Sequence, residues 1–168
     1  MVNRAEVNAV RRKVMGAFAR VPRPDLSSIR TLGCCEEHEP EFQWYRDHSW
    51  QDFAEELPSG RFDPFEFPAL NPVAYHYFVP GILLATLDST GGNPDDPHLW
   101  ERDWVGTLTP LKENTGRFIR DYLPLFDPQQ KEAVASHLES FNRWLSETRG
   151  YGDVDIERAT SQVWRRGT

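Results

Sequence analysis

Cysteine is nearly missing from this chain: two occur in 168 residues, and they are adjacent, Cys34 and Cys35. Neighbouring cysteines would close a strained ring and rarely bridge. No disulfide framework is implied, as expected of a reducing compartment. There is no run of about 18 apolar residues, so no transmembrane helix is expected. The opening stretch, MVNRAEVNAVRRKVMGAF, interrupts its apolar residues with charges. A signal peptide needs an unbroken apolar core, so the expectation is a cytoplasmic protein that does not engage a membrane. Several catalytic signatures are missing too: G-x-S-x-G, H-E-x-x-H and any glycine-rich phosphate loop. Gly91 and Gly92 form a glycine pair with no strand before it. Alternation with period two is scarce, which excludes a sheet-based fold.

What is present suffices for a core. Hydrophobic residues make up 39% and aromatics 12% of the chain, which argues against global disorder. A chain of this length buries roughly two-thirds of its unfolded surface, so residues 1–168 are read as a single domain needing no metal or disulfide. Val7, Val10, Val14 and Phe18 recur at helical spacing and predict a helix from about Arg4 to Arg20. Pro22 and Pro24 end it. Ser49 is a candidate N-cap for a helix starting at Trp50, with Asp52 in its first turn. Asn71 and Pro72 open a helix whose run VAYHYFVPGILLATL is apolar nearly all round, which places it at the centre of the fold. Pro80 and Gly81 lie inside it and predict a kink or a split. Further helices are expected at about Pro97 to Leu108 and Thr115 to Leu123.

A long helix follows, capped by Asp127 with Pro128 first and Gln130 completing a capping box. Its stripe is Val134, Leu138, Phe141 and Leu145. Polar composition makes a last helix, about 153–165, peripheral and partly frayed. A short strand has one place, Ser28 to Leu32. The fold class is therefore all-α, an irregular orthogonal helical bundle.

Three stretches resemble a family of small bacterial proteins known as a domain of unknown function. The first is His48-Ser49-Trp50-Gln51-Asp52-Phe53. The second, Asn71-Pro72-Val73-Ala74-Tyr75-His76-Tyr77-Phe78-Val79-Pro80-Gly81, is similar to that family's aromatic helix with an internal proline. The third, Phe126-Asp127-Pro128-Gln129-Gln130, is similar to its F-x-x-x-Q helix start. Order and spacing agree over about residues 5 to 147, with departures at Val79, Gly81 and the cysteine pair. The resemblance implies a compact, stand-alone helical protein of bacterial type, with an immunity-type partner among the family's suggestions. It brings no reaction with it.

Charge is unevenly placed. The formal net charge is −7, and duplex-DNA binders normally show a basic face, so nucleic acid is an unlikely partner. Residues 1–35 hold seven Arg or Lys against two carboxylates; residues 36–69 hold ten carboxylates against two Arg. The acidic segment sets Glu36, Glu37, Glu39, Glu41, Asp47, Asp52, Glu55 and Glu56 among Trp44 and Trp50. Aromatic anchors ringed by carboxylates suit a basic protein surface, the rings giving area and the charges steering encounter. The competing reading makes the rings core and lets the carboxylates solvate the outer face. The basic first helix, with Arg4, Arg11, Arg12, Lys13 and Arg20, is expected to pair with this acidic segment.

Cys35 and His38 have C-x-x-H spacing, able to place two ligands on a divalent metal such as zinc, but no second close pair exists. The sequence thus predicts a non-enzymatic protein-binding module, an immunity- or antitoxin-like partner that masks a basic surface. The alternative is a small enzyme or metal-binding protein using Cys35, His38 and nearby carboxylates.

Overall fold

The computed structural model describes residues 4–26, 29, 39–64, 67–89, 100–110 and 112–166, without the side chains of Glu41, Ser89 and Trp100. Among the described residues the protein is all-α, with eight α-helices: α1 (Arg4–Phe18), α2 (Glu39–Asp47), α3 (Trp50–Glu56), α4 (Pro72–Ser89), α5 (Trp100–Gly106), α6 (Thr115–Asp121), α7 (Pro128–Arg149) and α8 (Val154–Ala159). Of the expected strand only Ile29 is described; its carbonyl accepts the Asn71 N–H at 2.7 Å. No helix of the described residues is long and apolar enough to cross a membrane.

Helix α4 occupies the centre. Its residues from Tyr77 to Leu87 are buried without interruption, because a helix apolar on every side has no face to give to water. Helices α1, α3, α5 and α7 surround it. Val10, Val14 and Phe18 form the buried stripe of α1. The long α7 begins at Asp127, whose side chain accepts from the Gln130 N–H at 2.8 Å while the Gln130 side chain accepts from the Asp127 N–H at 3.1 Å. It ends at Gly150, left-handed with φ 76°, a conformation glycine adopts without steric cost. The Ser49 and Asp52 capping box starts α3 in the same way.

Of the two outcomes expected at Pro80 and Gly81, a kink or a split, the split does not occur: α4 is one continuous helix. The missing proline donor costs one hydrogen bond, and packing from every side outweighs it. Gly81 serves that packing: a Cβ there would stand 2.8 Å from Phe53 Cδ1 and 2.9 Å from the Trp50 carbonyl oxygen. The close approach of α3 therefore depends on glycine.

The last helical segment, expected to be peripheral and partly frayed, is instead packed into the fold through Trp164. Asp153 caps α8, a π-helical turn covers Thr160–Trp164, and Val163 and Trp164 are fully buried. The Trp164 indole donates to the Leu108 carbonyl at 2.9 Å. The wide turn adds a residue to the helical repeat, and both side chains face inward.

Gly81→Ala should destabilise the protein by about 1–3 kcal/mol, since the contacts it meets include backbone. Gly16→Ala, in α1 with nothing within 4 Å, should instead stabilise by about 0.5–1 kcal/mol. Urea midpoints of the two variants check the contrast.

Candidate functional site

The acidic segment builds α2 and α3. Phe42, Trp44 and Tyr45 of α2 and Trp50 and Phe53 of α3 are buried, and the rings of Trp44, Tyr45 and Phe53 interlock with one another and with Phe62 and Phe78 at centroid separations of 4.8 to 6.0 Å. Trp44 and Trp50 are each 4% exposed. They are therefore core residues, not partner anchors. The reason is local: Trp50, Phe53 and Leu57 share one helical face, which must close on α4. His48 stacks flat on Trp44 at 4.2 Å and donates to the Trp44 carbonyl. Arg61 covers the same indole from 5.9 Å.

The carboxylates take the opposite face. Asp47, Asp52 and Glu55 are exposed, and Glu39 and Glu56 are half-exposed. Several have local partners. Glu39 pairs with Arg46, Glu56 with Arg61 at 3.1 Å, and Asp47 accepts from Gln43 at 2.9 Å. Asp52 accepts from the Ser49 hydroxyl at 2.6 Å and the Ser49 N–H at 2.7 Å. These bonds hold its carboxyl below the usual carboxylate range, the hydroxyl bond contributing most. Glu36, Glu37, Cys35 and His38 lie outside the described residues, as does the side chain of Glu41. Among the described residues no group of three His, Cys, Asp or Glu side chains could hold a metal ion.

Two of the α1 cations, Arg11 and Lys13, pair with carboxylates other than those of the acidic segment. Arg11 pairs with Asp88 of α4, Lys13 with Glu132 at 3.2 Å and Glu6 with Arg143 at 2.8 Å, both on α7. Helix α1 lies against α4 and α7, so Arg11 and Lys13 meet the carboxylates of those helices. Each is a largely exposed pair worth little in stability.

A second feature was not foreseen. A groove of about 570 Å³ opens between α5, α6 and α8. Tyr75, Phe118 and Tyr122 form its floor, with Phe118 and Tyr122 stacked at 5.3 Å and Tyr75 edge-on to both. Burial pushes the Tyr75 phenol well up, so it stays protonated and donates to the Thr107 carbonyl at 2.9 Å. Arg158 builds one wall, reaching the Pro110 carbonyl at 2.8 Å and the Thr115 hydroxyl at 3.3 Å. Arg102 pairs with Asp153 at 3.0 Å. The contributing residues are scattered from Pro64 to Arg158, and no single stretch of sequence announces them.

One titratable group is fully enclosed. His137 of α7 lies against Thr86 of α4, Nε2 to Oγ1 3.1 Å. Thr86 gives its own proton to the Ile82 carbonyl at 2.7 Å, so the imidazole donates from Nε2, and burial keeps the ring neutral. Nδ1 is buried and has no partner among the described residues. No family model, curated protein or solved structure matches the chain.

Burial depresses the His137 pKa to about 3 from 6.5. His76 is lowered by burial as well. A depressed native pKa means full stability above the unfolded value and loss below it, because only the unfolded chain takes the proton. Stability should thus fall as pH drops from 6.5 towards 3, with His137 contributing up to about 1.4 kcal/mol per pH unit. Urea midpoints across that window should flatten in His137→Leu; an unchanged slope would mean His137 is not the group responsible.

Proposed function

We propose that the protein is a non-enzymatic binding module whose α2–α3 face masks a basic surface on a protein partner, in the manner of immunity or antitoxin proteins. One observation carries this reading. Asp47, Asp52 and Glu55 stand exposed on two short helices whose inner faces are fixed by a buried aromatic cluster. Residues 39–56 hold six carboxylates against one arginine, and with Arg23 and Arg61 packed on the same helices carboxylates still outnumber cations there, so the face keeps a net negative charge. A fixed array of like charges steers an oppositely charged partner and speeds encounter. It also needs little ordering on binding, which conserves affinity. With Trp44 and Trp50 buried, contact area would come from side chains around the carboxylates and recognition from charge.

The test begins with proteins that co-purify from the native host at low and moderate salt, followed by association kinetics with the purified partner. Asp47→Asn with Glu55→Gln is the informative variant, because neither residue caps a helix. Its association at low salt should slow about tenfold, with the wild-type rate falling as salt rises and near-ultraviolet circular dichroism unchanged. A partner bound equally well by the variant, or no stoichiometric partner at any salt, would overturn the proposal.

A further inference from the structure

The groove between α5, α6 and α8 has no part in the masking role, and its chemistry points to a different kind of ligand. Its volume of about 570 Å³ falls within the roughly 300–1,000 Å³ of small-molecule sites. The floor is aromatic and the walls are polar. Tyr75, Phe118 and Tyr122 line it with the small part of each side chain that its neighbours leave uncovered, an apolar lining that suits a flat apolar body.

The charges lining the groove decide what that body carries. Arg102 is engaged by Asp153 and Arg158 by Asp155 at 3.4 Å. Two further cations line the groove. Lys112 is exposed and has no ion pair among the described residues. Arg117 lies 3.7 Å from Asp121, a carboxylate already taken at 2.7 Å by Arg120. Asp103 lines the groove as well. Two cations against one carboxylate leave a small local positive excess in a chain of net charge −7. That excess favours one negative charge and disfavours a polyanion.

We propose that this groove binds a small aromatic monoanion, with its ring on Phe118 and Tyr122 and its carboxylate held by Lys112 and Arg117. Arginine suits the task because its planar fork matches a carboxylate. Arg158 acts as a positioning residue, tying Pro110 and Thr115 to α8 so that the wall carrying Lys112 keeps its place.

The probe is 2-naphthoate, titrated into the full chain and followed by amide chemical shifts. Saturable changes should appear at Gly106, Thr107, Asn114 and Arg117, with α1 amides unmoved. Neutral 2-naphthalenemethanol should bind at least about tenfold more weakly, the usual loss when a charged hydrogen-bond partner is removed. Lys112→Gln with Arg117→Gln should lose a similar factor; both residues are exposed, and near-ultraviolet circular dichroism verifies the fold. Three results would overturn the proposal: no saturation up to the solubility of 2-naphthoate, equal binding of the neutral analogue, or tighter binding of 2,3-naphthalenedicarboxylate. None involves α2 or α3, so failure here leaves the masking role standing, and failure of that role leaves this site intact.

Discussion

The structure depends on a central helix that has no polar face. Helix α4 is buried without a break from Tyr77 to Leu87, and its neighbours keep water from the sides of that stretch. That demand explains arrangements that otherwise look unrelated. Helix α3 comes close enough to need Gly81. Helix α1 supplies Val10, Val14 and Phe18, and α7 supplies Val134, Leu138 and Phe141. Pro80 survives in mid-helix because the cost of one lost bond is small beside burial of the whole apolar surface.

Polar ties fix the neighbours once burial has gathered them. Gln130 is the main one. Its side-chain oxygen accepts from the Asp127 N–H at 3.1 Å and from His76 Nε2 at 2.9 Å, and its amide donates to the Ala17 carbonyl at 3.3 Å. One buried side chain thus caps α7, holds α4 and satisfies a carbonyl in the last turn of α1. A buried amide bonded to three elements at once favours a single arrangement, whereas apolar contact alone leaves helices able to rotate and slide.

Much of this was readable in the sequence. The caps at Ser49, Asn71 and Asp127 are local chemistry, each decided within four residues, and they were legible for that reason. The stripes of α1 and α7 were legible because a helix repeats its inward face. The direction taken by Trp44 and Trp50 was not. A tryptophan among carboxylates suits an interface as well as a core, and only the neighbouring helix decides. Trp164 was hidden by the charged residues around it and by a π turn that breaks the usual spacing. The groove depends on Tyr75, Arg117 and Arg158 meeting across more than 80 positions of chain, a relation that no local pattern encodes.

The rings of the core form a continuous series. Trp44 meets Phe53, Phe53 meets Trp104, Trp104 meets Phe67, Phe67 meets Tyr75, Tyr75 meets Phe118 and Phe118 meets Trp164, all at centroid separations of 5.0 to 6.0 Å. At such spacing electronic transitions on adjacent rings couple, and excitation can pass from ring to ring. The molecule therefore has an intrinsic optical label that runs from beneath the acidic face to the edge of the groove. Excitation of a phenylalanine or tyrosine passes downhill to a neighbouring tryptophan and not back, so the protein's own spectrum reports on the packing around Trp44, Trp104 and Trp164, one neighbourhood at a time.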